Sequence, residues 1–596
     1  MKRRLDQVLG RVLFEYGGAV ALAILILYIW IAPPHIVDGD NAELSTLGLV
    51  GGAAHPSGYP LYLIWLRIMS WLPAQSPAHA AAIATVILGV AQIMILHAAC
   101  RAWGARAIAA SFAVAIFAGA PVVMRMYTQA EVFALNGLIA ATVLWLAAQR
   151  GPLRGESRAA ALGLVAGLGL ANHLTCVLLA PIGILGVVRG IRESKLSRPS
   201  VIAVAILGLA IGLVPYAYLA ATHETQTAWG AHLDSFAALV RHFMRSDYGG
   251  PGYSGRAPSL PAIETLTWIL ASVGRAWLWI PLGVGIAALA VRVIRDGKTG
   301  ESRFAWLMLL ATLVVSGPLF ALRLKFGHVG LGIYAAERFY LLPSMLMALP
   351  VAIGFDRGWS LLSTKLSAPP RHALALGSLL ATAAFITAAA MSLPYVGRVH
   401  TPALEQGVKN MLLPLPTNAV VIVALDQYTF GLGYLQAALG ERPDVTVISW
   451  PQAPLAGYRD RLATRSGIRI SKQVEGAASV DVADQVLAAG RPLFIDGWEL
   501  NIAKTFPTYP FGLLFRVIPR HSALPPIEDV FAINKSLFDK LEFGYPFPDR
   551  DSDFASEFHS SYAQTWRIIQ DALERRGKLE DAAYAREMVK ALAPTP

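Results

Sequence analysis

Three carboxylates and an imidazole fall within one short stretch: Asp38, Asp40 and Glu43 in "DGDNAEL", and His55 in "HPSGYP". Side chains of these kinds can take a proton from an attacking hydroxyl, stabilise a developing positive charge, or share a divalent cation. Each also has a plainer reading. Asp40 and Glu43 have the Asp-x-x-Glu spacing of a helix capping box, and the prolines flanking His55 and Tyr59 suit a rigid turn before an interfacial helix over 61–73. Density tilts the balance. Carboxylates beside a bilayer cost several kcal/mol when partly buried, and persist where they have a task.

The elements that must hold them are membrane helices. The 596 residues are 55% hydrophobic and only 15% charged, against roughly 25% charged in soluble domains. Apolar runs approaching the ~20 residues that cross a bilayer number about eleven, near 17–32, 80–99, 106–123, 130–148, 158–171, 174–188, 201–221, 270–292, 304–321, 338–354 and 373–391. Lys/Arg clusters at 2–11, 101–106, 150–158, 189–198, 292–303 and 357–371 all fall on one side if the spans alternate. By the positive-inside rule that side is cytoplasmic. The N-terminal run lacks a small-residue cleavage site and reads as a retained anchor. Segments 33–79, 222–265 and 322–337, and everything after 392, are then expected outside, with the chain in the cell's inner membrane.

Composition changes near residue 400. Residues 401–596 hold 23 of the 39 acidic and 20 of the 50 basic residues, an ordinary balance for a soluble domain. The pI of 9.6 therefore arises in cytoplasmic loops and gives no argument for nucleic acid. "AVVIVALD" (419–426), "DVTVIS" (444–449) and "RPLFIDGW" (491–498) read as buried strands around a helical stretch at 428–440, and 530–592 as two or three amphipathic helices. The expected organisation is a transmembrane core over 1–391 with the loop 33–79, an extracytoplasmic α/β domain over 392–525, and a helical segment over 526–596. Cys100 and Cys176 lie in predicted spans, so no disulfide framework is implied. No internal repeat, Walker loop, HExxH or GxSxG motif is present.

Further polar residues gather on the outer side: Arg125, Gln129 and Glu131 between the third and fourth spans, Asn172 and His173 between the fifth and sixth, Arg323 and Lys325 after the ninth, and Glu337 with Arg338 opening the tenth. Singly these read as a hairpin turn, snorkelling cations and a surface pair worth under about 1 kcal/mol. Together they describe acids and bases facing one cavity at the bilayer edge.

Asp-x-x-Glu-Leu at 40–44, followed by His-Pro-x-Gly-Tyr-Pro at 55–60, resembles the signature of a family of polytopic GT-C-type glycosyltransferases. That family includes the animal protein O-mannosyltransferase acting on plexin-type IPT domains, and many bacterial members. "QAEVFALN" (129–136), "NHLT" (172–175), "AWG" (228–230) with "RHFMRSDYG" (241–249), "ERFYLLP" (337–343) and "YLQAALGERPDVTVIS" (434–449) agree in order, so the resemblance covers most of 15–450. One departure is Ala231, where an Asp is expected after "WG".

The resemblance implies a helical membrane core whose first outer loop holds the catalytic acid, a soluble outer domain, and a sugar donor on a polyprenyl phosphate. An acceptor hydroxyl, with Ser or Thr of a protein favoured over a glycan, must lose a proton to a carboxylate while it attacks the anomeric carbon. Asp40 is the expected base, and Glu43 and His55 its partners. Asp38 and Tyr59 are candidates beside them. Arg125, Arg323, Lys325 and Arg338 are candidates for the donor phosphate, with Arg338 favoured by the motif, and Glu131, Asn172, His173 and Glu337 complete the cavity. No cofactor is required, although Asp38, Asp40, Glu43 and His55 could supply a divalent metal. Two other classes compete. A secondary transporter or flippase would place charges at the midplane between related halves. A scaffold would bind through its tail and leave the core inert.

Overall fold

The computed structural model describes residues 18–595 apart from 226–228, 249, 251–260, 296–299, 325–330, 366–369, 473–476, 498–499, 542 and 550–553. Among these, five helices are long and apolar enough to cross a membrane: Pro77–Ala102, Leu174–Glu193, Arg198–Thr222, Arg303–Arg323 and Leu379–Leu412. Three bent pairs bring the number to eight if each is one span. Three more of the eleven expected spans fall on Gly18–Ile31, Phe133–Ala147 and Gly155–Leu170, helices of only 14, 15 and 16 residues.

The expected span at 270–292 is not continuous. It is two helices, Ala262–Ala276 and Ile280–Ile294, bent by 108°. Leu278 and Trp279 take positive φ at the break, and a proline opens the second helix, a residue that cannot continue the hydrogen-bond ladder of a preceding turn. Elsewhere small residues let backbones meet. In the Gly155–Leu170 and Arg198–Gly212 helices, "GLVAG" (163–167) and "GLAIG" (208–212) face one another so closely that a Cβ on Gly163 would lie 1.9 Å from the Ala205 carbonyl oxygen, and one on Gly212 2.4 Å from that of Leu164. This is small-xxx-small packing, which van der Waals contact favours where no hydrophobic effect operates.

The tail contains one five-stranded sheet: β1 (Val420–Val423), β2 (Thr446–Ser449), β3 (Leu493–Ile495), β4 (Thr508–Phe511) and β5 (Leu514–Val517), in the order β2-β1-β3-β5-β4. β2, β1 and β3 are parallel, and β5 and β4 add an antiparallel hairpin. β1 reads Val-Val-Ile-Val without alternation because both faces are covered. Val421 and Val423 pack towards Tyr428, Leu432 and Phe558, while Val420 and Ile422 pack towards Leu462, Val482 and Val486. The β4–β5 hairpin escaped the sequence reading, since its prolines and short strands weaken the strand signal. Helices Ile527–Phe538, Phe554–Arg575 and Leu579–Leu592 close the chain.

Tail and core share one apolar cluster. Ile36, Ala42, Ala78 and Trp229 pack with Tyr428, Phe430 and Tyr434, and Glu405 accepts the Ile36 amide at 3.1 Å. The sheet is thereby docked on the segment that follows the first helix.

Candidate active site

Gly39 has φ +75°, which turns the chain between Asp38 and Asp40 and brings the backbone against Glu131. A Cβ there would lie 3.2 Å from Glu131 Oε1 and in a conformation that side chains disfavour. Asp40 then opens the Asn41–Val50 helix, but its side chain makes no capping hydrogen bond. Glu43 does not reach back to it either. Glu43 Oε1 accepts the backbone N–H of His55 at 2.9 Å, and Oε2 accepts the ring Nδ1–H at 2.6 Å. The capping-box reading is thus overturned, and the pair serves the His55 loop instead.

From His55 the network runs outward. Its Nε2 lies 2.8 Å from the Tyr59 hydroxyl and 4.0 Å from Asp40 Oδ2. Tyr59, in the left-handed region at φ 46°, stacks on the His173 ring at 5.8 Å, 5° from parallel. Arg338 Nη1 donates to Asp40 Oδ2 at 3.1 Å and stands 3.9 Å from Glu131 Oε1. Its guanidinium lies over the rings of Phe339 and Phe133, at 5.4 and 5.8 Å. Glu337 and Arg338, adjacent in sequence, therefore do not form the surface pair considered above. Glu337 accepts from Arg275 at 3.1 Å and from the Tyr395 hydroxyl at 3.2 Å. Arg125 donates to that same Tyr395 oxygen at 3.2 Å and to Asp38 Oδ2 at 2.5 Å.

The charges set one another. Burial favours the neutral form of Asp40, but the positive charges of His55 and Arg338 outweigh it and hold the carboxyl below its usual range. Burial likewise opposes protonation of His55, yet Tyr59, Glu43 and Asp40 raise the imidazole well above its usual value. Burial first, and then the charge of Asp40, push Glu131 up to about 8. Burial with the nearby arginines drives His173 down to about 3, so this ring is neutral. The site therefore holds an ionised Asp40, a charged His55 and a largely protonated Glu131. Glu131 Oε2 and Arg338 Nε are buried without a hydrogen-bond partner among the described residues.

Not every expected residue converges. Arg323 is exposed at the end of the Phe320–Arg323 helix, away from these pairs, and it is Arg338 that reaches Asp40. Lys325 lies outside the described residues. Asn172 donates its amide to the Val132 carbonyl at 3.2 Å and so fixes the loop that carries Glu131. Asp38 is consumed by Arg125. Asp38, Asp40, Glu43 and His55 do not form a metal centre: among the described residues no three His, Cys, Asp or Glu side chains are grouped to hold an ion.

The sequence reading missed the aromatic wall. Phe430, from the helix after β1, stacks near His55 at 6.2 Å and 27°, with Trp229 and Tyr248 edge-on at 6.1 and 6.4 Å. Arg245 donates to the Pro56 carbonyl at 2.7 Å and lies 5.1 Å from the Tyr248 ring. Trp229 and 241–249 lay within the family motifs, but Phe430 carried no signal beyond ordinary core periodicity. On the other side of Arg338 is a narrow crevice lined by Phe133, Leu178, Phe320, Phe339, Leu342 and Met345.

Residues 40–197 match the family model described as the protein O-mannosyl-transferase TMEM260 N-terminal domain. The chain is 25% identical over 474 residues to the protein O-mannosyl-transferase TMEM260 of Mus musculus, covering 75% of this chain and 64% of the mouse protein. It is 24% identical over 245 residues to the protein O-mannosyl-transferase tmem260 of Dictyostelium discoideum, covering 38% and 30%. The chain thus spans less than two thirds of the length of these curated relatives. Among solved structures, ArnT from Cupriavidus metallidurans in the apo state superposes with a TM-score of 0.50 at 13% identity, covering 87% of this chain and all of that one. The resemblance drawn from the motifs stands: this is a multi-pass membrane protein of GT-C fold with a TMEM260-like N-terminal region.

Proposed function

We propose that the chain transfers a sugar, mannose or a similar hexose, from a polyprenyl-phosphate carrier to a hydroxyl, in the favoured case Ser or Thr of a protein, on the outer face of the inner membrane. The observation that carries this reading is the position of Asp40 Oδ2, 3.1 Å from Arg338 and 4.0 Å from His55. An ionised carboxylate held beside cations is suited to both demands of the reaction. It can accept the hydroxyl proton as the acceptor oxygen bonds to the anomeric carbon, and its charge stabilises the oxocarbenium-like transition state. The bond from that carbon to the phosphate oxygen breaks, and the electron pair leaves on the phosphate.

Arg338 serves the leaving group. It combines a donor for phosphate with the neighbouring apolar side chains of Phe133, Phe320, Phe339 and Leu342. A phosphate bound there draws the guanidinium from Asp40, which raises the carboxyl's proton affinity and makes it a better base as the donor arrives. The mouse and Dictyostelium relatives, named as O-mannosyl-transferases, support the same class of reaction.

The test is a reconstituted assay offering polyprenyl-phosphate sugar and nucleotide sugar separately. Asp40→Asn should lower transfer from the lipid-linked donor by about 10² or more with the fold retained, since this side chain caps nothing. Near-normal turnover by the variant, or transfer from the nucleotide sugar with no lipid intermediate, contradicts the mechanism.

A further inference from the structure

A cavity of about 610 Å³ opens where the sheet meets the Asn41–Val50 helix. Glu43, Thr46 and Leu47 line it together with Trp229, and Thr429, Phe430, Gly433 and Gln436 form a wall. Along its length lie the turn residues 443–445 and then β2, represented by Thr446, Val447 and Ser449.

Three features of β2 select what fits there. β2 ends the sheet, with β1 on one side only, and an open edge is a template for another extended chain. The register also fixes which groups it offers. Thr446 N–H donates to the Ala419 carbonyl at 2.9 Å, so in this parallel ladder Thr446 and Ile448 turn their backbones to β1, and Val447 turns its N–H and C=O outward. On either side the outward groups are engaged: Val445 C=O accepts from Gln436 at 2.8 Å, and Ser449 N–H donates to the Tyr458 hydroxyl at 2.7 Å. Among the described residues, Val447 is left as the pairing position. Finally, the strand points at the chemistry. β1 leads directly into Asp426, which opens the helix that sets Phe430 against His55, and β2 runs parallel to it, so the carboxyl end of β2 faces the site.

We propose that β2 is an acceptor dock: an extended polypeptide segment pairs with Val447 as an added strand, and a hydroxyl side chain further along it is delivered to the Glu43 end of the cavity. The inference rests on the reading of the chain as a sugar transferase and specifies its acceptor as unfolded polypeptide. Main-chain pairing supplies the affinity, and the cavity walls choose among side chains.

Two variants of the full-length protein test it. Val447→Pro removes the outward N–H and fills its place with the pyrrolidine ring, yet leaves every bond to β1, as proline is tolerated at a strand edge. Gly433→Trp fills the cavity from the other wall, where an added Cβ meets nothing within 4 Å. Binding of a short fluorescein-labelled Thr/Val peptide, read by anisotropy without donor, should weaken by about tenfold or more in each while Tm holds. If Val447→Pro lowers Tm, Gly433→Trp decides alone. Unchanged peptide affinity in the folded variants overturns the dock. So does tighter wild-type binding of a free oligosaccharide in the same cavity. Because peptide binding is read without sugar transfer, failure of transfer from a lipid-linked donor counts against the proposed reaction and not against this site.

Discussion

Arg338→Gln removes the guanidinium that donates to Asp40 and approaches Glu131, and its consequences can be worked out in order. A hydrogen bond from a guanidinium to a carboxylate contributes about 1.5–3 kcal/mol, and about 1.4 kcal/mol corresponds to one pKa unit. Asp40 should therefore titrate about one to two units higher in the variant, the upward sign following from loss of a group that favours its anion. The acidic limb of kcat/KM against pH moves up by that amount. A donor phosphate that loses the same contact binds about tenfold to a hundredfold more weakly. Lys at this position restores only part, since it lacks the planar fork and the stacking on Phe133 and Phe339. The removal also leaves the buried Asp40 carboxylate without its guanidinium partner, a change that destabilises a buried charge, so Tm should fall. The assay is a pH series in proteoliposomes with polyprenyl-phosphate sugar. An acidic limb and a donor KM that both stay at wild-type values refute the assignment of Arg338.

Glu131 gives a stability test of its own. Its folded pKa, raised from 4.5 to about 8, means the folded state binds an extra proton between those values. That contribution is complete below about pH 4.5 and is lost as pH rises through about 8. Thermal melts of Glu131→Gln should show a smaller loss of Tm between mildly acidic and alkaline buffer than wild type, and an identical pH dependence contradicts the shift. For topology, a reporter active only outside the cytoplasm should work when fused after Pro596 and fail when inserted at Asp296. The opposite pattern puts Asp40 on the wrong face for an externally presented lipid donor.

What could be read in the sequence was what is local in it. Asp40, Glu43, His55 and Tyr59 lie in one stretch, and their hydrogen bonds close over four to twelve residues. The pairing of Asp40 with Arg338 spans 298 residues and that of Asp38 with Arg125 spans 87. Charge type and side of the membrane alone could not rank Arg125, Arg323, Lys325 and Arg338; the motif favoured Arg338, and its contact with Asp40 comes from helix packing. The same limit explains the broken span at Trp277–Trp279. Its residues are mostly apolar, and hydropathy reports burial without direction, so a 108° bend between two helices leaves no trace beyond a proline. β1 and β3 were legible as apolar runs, whereas β4 and β5 depend on a turn at Gly512, φ +61°, and on neighbours distant in the chain.

Phe430 comes from the sheet domain, yet it forms a wall around His55, and the consequence concerns timing. During synthesis the helices that carry Asp40, Arg125 and Arg338 emerge from the ribosome before residue 420, so they can insert and assemble while Phe430 is still missing from the wall. The side of His55 that Phe430 covers is complete only when the last third of the chain has folded. On the proposed function, a chain ending near residue 400 would carry Asp40, Arg125 and Arg338 but lack the Phe430 wall, and is expected to transfer no sugar.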